Sequence, residues 1–220
     1  MLLAVVATPQ ECSALLGGLT ATPLDLGPYR AVSTGTAAVV VSGIGPAAAA
    51  ATTATAVSRL EIDLVLSLGI CGGFPGAAGI GDVVIATDLV AADLGADSPE
   101  GFLAMGQLGW ADDSYAVPTD LITAAADQLG EVVTGPVITV STVTGTAARV
   151  GQLAERHGAV AEAMEGWGVL TAALPHGLPV LEVRTVSNTV GIRDTSTWDF
   201  SAALTALTRV GTALLGDPWH

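Results

Sequence analysis

The chain has 220 residues, of which 50% are hydrophobic, and its 21 acidic residues outnumber the seven basic ones to give a formal net charge of −14. All seven basic residues are arginine. This balance argues against a surface for nucleic acid or for an anionic membrane, so we expect a small-molecule ligand. The length and the absence of a long polar stretch predict a single α/β domain over residues 1–220.

Other global features argue against membrane insertion, secretion and metal binding. No apolar run approaches the roughly 18 residues needed to span a bilayer. The apolar opening over residues 1–7 has no basic n-region and ends at Pro9, which is typical of a first strand rather than a signal peptide. Cys12 and Cys71 lack the spacing of a disulfide framework or a zinc site, and the three histidines are scattered. We therefore expect a cytoplasmic protein without a metal or a cofactor.

The first strand runs into Thr8-Pro9-Gln10-Glu11, which predicts a helix start at the carboxyl edge of that strand. Glu11 falls in the first turn of this helix, where the helix dipole alone favours an acid. Residues 29–33 and 37–42 predict a hairpin. Ser42-Gly43-Ile44-Gly45 then leads into an Ala/Thr-rich helix that extends to about residue 60. The free backbone N–H groups of this four-residue segment would suit a phosphate, but close packing of the helix on the strand explains the segment equally well.

Residues 63–68 predict a central parallel strand, with Gly69-Ile70-Cys71-Gly72-Gly73 as a glycine-rich turn at its end. The glycines do not follow the Gly-x-Gly-x-x-Gly spacing of a dinucleotide site, which excludes a Rossmann interpretation. Residues 81–90 predict the next strand. It leads to a long segment, residues 93–105, which is either a solvated Ω-loop or, as loops of this length usually are, functional.

In the second half, residues 121–129 and 147–157 predict helices and residues 137–141 a strand. The segment Thr142-Val143-Thr144-Gly145-Thr146 follows that strand and can serve as a turn and helix cap. Residues 160–162 predict a short strand that delivers Met164-Glu165 to the start of an Ala-rich helix. The last predicted helix covers about residues 200–215.

The apolar run over residues 178–188 predicts a buried strand whose polar members, Ser187 and Asn188, lie at its carboxyl end. Open α/β sheets place their ligands at that edge, so Glu165 and Asn188 are expected to lie over the same site. The simpler interpretation is that Glu165 is a helix-start acid and Asn188 a strand terminator.

Three segments together resemble the purine nucleoside phosphorylase and nucleosidase superfamily: Met164-Glu165, the glycine-rich segment 69–73, and the strand that ends at Asn188. The resemblance covers nearly the whole chain. It implies a three-layer α/β/α sandwich around a mixed, twisted sheet, usually assembled as a homodimer or a larger homo-oligomer.

The resemblance also implies roles for individual residues. Glu165 beside Met164 would hold the ribose, Glu11 would prepare an attacking water, and Asn188 would face the purine and stabilise it as N7 gains a proton. Thr144 and its neighbours would run beside the purine face. The full set of expected substrate-binding residues is Met164, Glu165, Ile70, Gly72, Thr144, Gly145, Thr146, Arg184 and Ser187.

Two departures from the phosphorylases favour hydrolysis. Ile70 stands where phosphorylases and many nucleosidases have a hydroxyl group, and Ser67 stands near where bacterial phosphorylases carry an arginine. A buried phosphate dianion needs charge-assisted donors, because burying it unpaired is prohibitive. Water is therefore the expected nucleophile.

Two loops, residues 94–102 and 189–199, resemble those of futalosine hydrolases, which split futalosine into hypoxanthine and dehypoxanthine futalosine in menaquinone biosynthesis. Three alternatives remain open: a methylthioadenosine/S-adenosylhomocysteine nucleosidase, expected to carry Asp in place of Asn188; a purine nucleoside phosphorylase; and a nucleoside-binding protein without turnover. Arg30 and Arg193 are candidates for pairing the carboxylate on the 5′ side of futalosine, as are backbone N–H groups.

Overall fold

The structure, a computed structural model, describes residues 1–216, and a ten-stranded mixed sheet forms its centre. The strands are β1 (Leu2–Val6), β2 (Thr22–Leu26), β3 (Tyr29–Ser33), β4 (Ala37–Val41), β5 (Leu64–Gly73), β6 (Val83–Ala91), β7 (Gly95–Ser98), β8 (Gly101–Ala104), β9 (Ser114–Ala116), β10 (Val133–Thr139), β11 (Ala161–Ala163) and β12 (Val180–Thr189). The α-helices are α1 (Pro9–Leu15), α2 (Pro46–Arg59), α3 (Met105–Leu108), α4 (Thr119–Leu129), α5 (Ala147–His157), α6 (Gly166–Ala173) and α7 (Phe200–Leu215).

The main sheet has the order β11-β10-β6-β12-β5-β1-β4-β3-β2, and β9 pairs with β6. The four strands β4, β1, β5 and β12 are parallel to one another. Strand β6 is antiparallel to β12. The end of β5 also pairs with β11, so five strands close into a ring. Helices α2 and α6 pack on each other, and α1 and α4 pack on α7, which gives the helix layers of the predicted three-layer α/β/α sandwich.

The central strands are apolar along their whole length because they are covered on both faces. The side chains of Leu3, Val39, Leu66 and Leu181 are fully buried. Helix ends agree with the sequence signals: Thr146 accepts a hydrogen bond from a first-turn N–H of α5, and Gly158 ends that helix at φ 59°. Asp199 caps α7 in the same way. Both helices occupy their predicted ranges.

One prediction of local structure is wrong, and one of two open interpretations does not hold. The glycine-rich segment 69–73 is not a turn but the second half of β5, because β12 and β11 supply hydrogen-bonding partners on its two edges. Of the two interpretations left open for residues 93–105, the solvated Ω-loop does not hold, because β7 and β8 pair as a separate two-stranded sheet. No helix within residues 1–216 is long and apolar enough to cross a membrane.

Candidate active site

A cavity of about 250 Å³ lies at the carboxyl ends of β1, β5 and β12, where the sequence predicted the site. It continues along the segments that follow β11 and β12. Its walls are formed by Ala7, Thr8, Glu11, Ile44, Ile70, Cys71, Gly72, Val143, Thr144, Glu162, Ala163, Met164, Glu165, Ser187, Asn188, Thr189, Val190, Gly191, Ile192, Arg193, Trp198 and Phe200.

Gly72 on β5 brings two polar side chains of neighbouring strands together. Glu162 on β11 and Asn188 on β12 are both in register with Gly72, one on each edge of β5. Since adjacent strands lie about 4.8 Å apart, the two Cα atoms are about 10 Å apart, with the cavity between the side chains. A Cβ on Gly72 would lie 2.8 Å from a Val190 methyl group and 3.2 Å from Nδ2 of Asn188, so this meeting of strands requires glycine.

Glu11 is buried, and both of its carboxylate oxygens accept hydrogen bonds. Oε2 accepts from the backbone N–H of Thr8 (2.8 Å) and from its hydroxyl (2.9 Å), and the Glu11 N–H donates to Thr8 Oγ1, which completes a capping box. Oε1 accepts from the N–H of Ile70 (2.9 Å). The helix-start interpretation is therefore correct, and the same carboxylate also lines the cavity.

Glu165 is held between the start of α2 and a buried arginine. Its Oε1 accepts from the N–H of Gly45 (3.1 Å), and Oε2 lies 3.4 Å from Nη1 of Arg184. Arg184 is fully buried; its Nε donates to Glu182 (2.8 Å) and its Nη2 to the hydroxyl of Ser67 (2.9 Å). Arg184 does not line the cavity but lies behind Glu165, where its three donor nitrogens are all engaged.

The charges of this buried group depend on one another. Burial alone would lower the pKa of Arg184, but Glu182 and Glu165 raise it overall, so the guanidinium stays charged. Burial raises the pKa of the Glu182 carboxyl, and Arg184 opposes that rise. Gly69, at φ +149°, permits the close approach: a Cβ there would lie 2.5 Å from Oε1 of Glu11 and 2.9 Å from Nη1 of Arg184.

A β-bulge aims Asn188 into the cavity. The register of β12 on β5 shifts between Val186 and Asn188, so Ser187 has no partner on β5. The Ser187 hydroxyl lies 3.0 Å from the carbonyl oxygen of Cys71 and 2.8 Å from Oδ1 of Asn188, and its single hydrogen is shared between them. The Asn188 amide donates only to the adjacent carbonyl of Thr189 (3.3 Å). Both functional groups of the Asn188 side chain are thus held by the two residues adjacent to it in sequence.

Glu162 is a cavity residue that the sequence interpretation did not identify. Its Oε1 accepts from the N–H of Thr144 (2.8 Å) and its Oε2 from the Thr144 hydroxyl. Burial raises the pKa of this carboxyl, and the two Thr144 hydrogen bonds oppose the rise. The available signal was an acid inside an apolar strand, which also applies to Glu182.

The structure brings most of the predicted site residues together, and it separates three from the cavity. The predicted residues that line it are Glu11, Ile70, Gly72, Thr144, Met164, Glu165, Ser187 and Asn188. Those that do not are Gly145, Thr146, which caps α5, and Arg184. Of the two arginines considered for the 5′ side, Arg193 lines the cavity and Arg30 lies on β3, away from it. Over residues 1–216, no three His, Cys, Asp or Glu side chains are grouped as metal ligands.

Comparison with known proteins identifies the family. Residues 3–216 match the phosphorylase superfamily. A futalosine hydrolase of Streptomyces coelicolor is 50% identical over 77% of this chain and 74% of its own length, and one of Acidothermus cellulolyticus is 43% identical over 99% and 91%. The structure of a methylthioadenosine/S-adenosylhomocysteine nucleosidase of Helicobacter pylori superposes with a TM-score of 0.83 at 20% identity, covering 98% of this chain and 96% of that one, which shows the shared fold. The chain belongs to the phosphorylase superfamily and, within it, to the futalosine hydrolases.

Proposed function

We propose that the protein hydrolyses the N-glycosidic bond of futalosine and releases hypoxanthine and dehypoxanthine futalosine. The observation that carries this proposal is that Glu11, Glu165 and Asn188 line one cavity, where hydrogen bonds from Ile70, Gly45 and Ser187 respectively hold their side chains. The identity to curated futalosine hydrolases supports the choice of substrate.

In this reaction the bond between C1′ of the ribose and N9 of the base breaks, and its electron pair leaves with the base. Positive charge grows on the ribose and negative charge on the purine, so the site must favour those charges in the transition state. A proton from solvent reaches N7 of the leaving base, and the oxygen of a water molecule bonds to C1′. The carboxylate of Glu11 takes a proton from that water and returns it to solvent before the next turnover.

The surroundings of Glu11 suit water better than phosphate. Ile70 contributes an apolar side chain, and its N–H already donates to Glu11. Ser67 is buried in the sheet and donates no group to the cavity, and Arg184 is occupied by two carboxylates and Ser67. A phosphate dianion would find no free charge-assisted donor beside these carboxylates and would be repelled by them.

Glu165 is suited to hold the ribose hydroxyl groups. Its carboxylate is anchored by Gly45 and Arg184, so its remaining lone pairs can accept from sugar hydroxyls without the side chain changing position. Negative charge beside the ribose also stabilises the positive charge that develops there. Met164, the adjacent wall residue, offers an apolar surface to the sugar ring.

Asn188 is suited to a 6-oxopurine. Hypoxanthine protonated at N7 presents a donor at N7 and an acceptor at O6, which the oxygen and the NH₂ group of a carboxamide match. A 6-aminopurine presents donors at both places, for which a carboxylate is the better partner.

We further propose that the enzyme works in the cytoplasm as a homodimer or larger homo-oligomer. Exposed Leu94 and Trp110, on either side of the β7–β8 hairpin in sequence, are candidate interface residues.

A substrate panel tests this function. Release of free base would be measured with futalosine, inosine, adenosine and methylthioadenosine under identical conditions. We expect the highest kcat/KM for futalosine, with hypoxanthine as the base. A higher value for methylthioadenosine, with release of adenine, would instead identify a methylthioadenosine nucleosidase.

A further inference from the structure

We propose that the mouth of the cavity is a subsite for a carboxylate carried on an aromatic ring, with Arg193 as its cation and Trp198 and Phe200 as its apolar wall. This inference rests on the proposed function, because it assigns the part of the substrate that lies beyond the ribose.

The charge of Arg193 is available to a ligand. Within residues 1–216, Arg193 is the only Arg, Lys or His that lines the cavity, and it takes part in none of the ion pairs found there. Its acidic neighbours are engaged elsewhere. Asp194 accepts from the N–H (3.0 Å) and the hydroxyl (2.6 Å) of Ser196, and Asp199 accepts from the N–H of Ala202 (2.8 Å) at the start of α7.

Trp198 holds the guanidinium group without neutralising it. A 3₁₀ turn at Thr195–Thr197 connects the two residues, and Cζ of Arg193 lies 5.7 Å from the centroid of the Trp198 ring. The Phe200 ring supports Trp198 edge-on, with centroids 5.6 Å apart and an angle of 65° between the planes. A cation–π contact gives the guanidinium N–H groups no hydrogen-bond acceptor, so they can still donate to a carboxylate in pairs.

The rim around Arg193 is apolar, which restricts the kind of anion. Ile192 is 78% exposed and Ile44 65% exposed, and both line the cavity beside Phe200. Exposed apolar side chains grouped at the mouth of a cavity indicate a ligand that covers them. A free phosphate or a small dicarboxylate would leave this surface in water, whereas a carboxylated aromatic ring would cover it.

The distribution of charge also sets the orientation of the ligand. Glu11, Glu162 and Glu165 line the inner part of the cavity and repel an anion there. Arg193 at the mouth attracts it, so a nucleoside with an acidic 5′ group binds with the base and ribose inside and the acid outside. Futalosine, with a carboxylate on its 5′ side, meets this requirement.

The test compares two enzymes on two substrates: wild type and Arg193→Met, each with futalosine and with the analogue in which a primary amide replaces the carboxylate. We expect wild type to prefer the acid about tenfold in kcat/KM, the scale of one charge-assisted contact. Arg193→Met should lose that preference and hydrolyse the amide as wild type does. Arg30→Met, at an exposed position of β3 that does not line the cavity, is the matched control and should keep the preference.

Salt should reduce the wild-type preference and leave that of Arg193→Met unchanged, since the contact is partly exposed. Equal losses on both substrates in Arg193→Met, or a preference that survives the substitution, would overturn the subsite. If neither compound is hydrolysed while inosine is, the proposed function fails. The subsite is then decided by the affinities of the two compounds: a preference for the acid that requires Arg193 supports it, and equal affinities refute it.

Discussion

The substitution Glu11→Gln separates the chemical role of this carboxylate from its structural one. The carboxylate accepts three hydrogen bonds, two at Oε2 from Thr8 and one at Oε1 from Ile70. Glutamine offers a single acceptor oxygen. If that oxygen keeps the two Thr8 bonds, its NH₂ group faces the Ile70 N–H at a distance of 2.9 Å, donor against donor.

One lost hydrogen bond with an opposed donor should lower the free energy of unfolding by about 1–3 kcal/mol. For a chain of this size that is a fall in Tm of about 2–4 °C per kcal/mol, which leaves the enzyme folded at assay temperature. Loss of a positioned general base should lower kcat about a hundredfold or more, while substrate affinity changes little. The assay follows hypoxanthine release under saturating futalosine, with Tm measured on the same samples.

Thr8→Ala is the matched control, because it removes the hydroxyl that bonds Oε2 and keeps the carboxylate. Loss of this cap should cost about 1 kcal/mol of stability. Its kcat should stay within a few-fold of wild type. A near-normal kcat in Glu11→Gln would remove Glu11 from the mechanism, and an equal loss in Thr8→Ala would mean that the effect is one of local structure.

Three further substitutions test other parts of the account. Asn188→Asp should narrow or invert the preference for the hypoxanthine nucleoside over its 6-amino analogue, since a mismatched buried pair costs about 1–3 kcal/mol; an unchanged ratio of kcat/KM values would show that Asn188 does not recognise the base. Burial raises the pKa of Glu162 above its ordinary 4.5, so the folded state binds that proton more tightly than the unfolded chain. This group therefore stabilises the folded state fully below pH 4.5, and that stabilisation is lost as pH rises through the raised pKa. In urea titrations at a series of pH values, Glu162→Gln should flatten the dependence of the free energy of unfolding on pH over this range. The same slope for wild type and variant would contradict this. Gly69→Ala places a methyl group against Glu11 and Arg184 at a φ that favours glycine, and should lower kcat at least tenfold with a measurable loss of Tm; full activity would mean that the approach of these groups is not required.

The sequence predicted those features that depend on local signals. Helices α5 and α7 lie over their predicted ranges, and Thr146, in the segment predicted as a helix cap, caps α5. The hairpin of β3 and β4 is likewise confirmed. The meeting of Glu165 and Asn188 followed from the rule that parallel strands present ligands at their carboxyl ends.

Features that depend on partners distant in sequence were not predictable in the same way. Gly69–Gly73 has the composition of a turn and becomes a strand only because β11 and β12 reach it. The β7–β8 pairing likewise has a weak local signal. Arg184 was expected among the substrate contacts, but its position behind Glu165 depends on Ser67, which lies on the neighbouring strand β5, 117 residues away in sequence.

Hydrolysis is distinguished from phosphorolysis by identifying the sugar product formed from futalosine in the presence of excess phosphate. Dialysed enzyme would be incubated with and without phosphate, and both halves of the substrate would be identified by mass spectrometry. The account predicts hypoxanthine and free dehypoxanthine futalosine at the same rate in both samples. A sugar 1-phosphate product, formed only when phosphate is present, would contradict it.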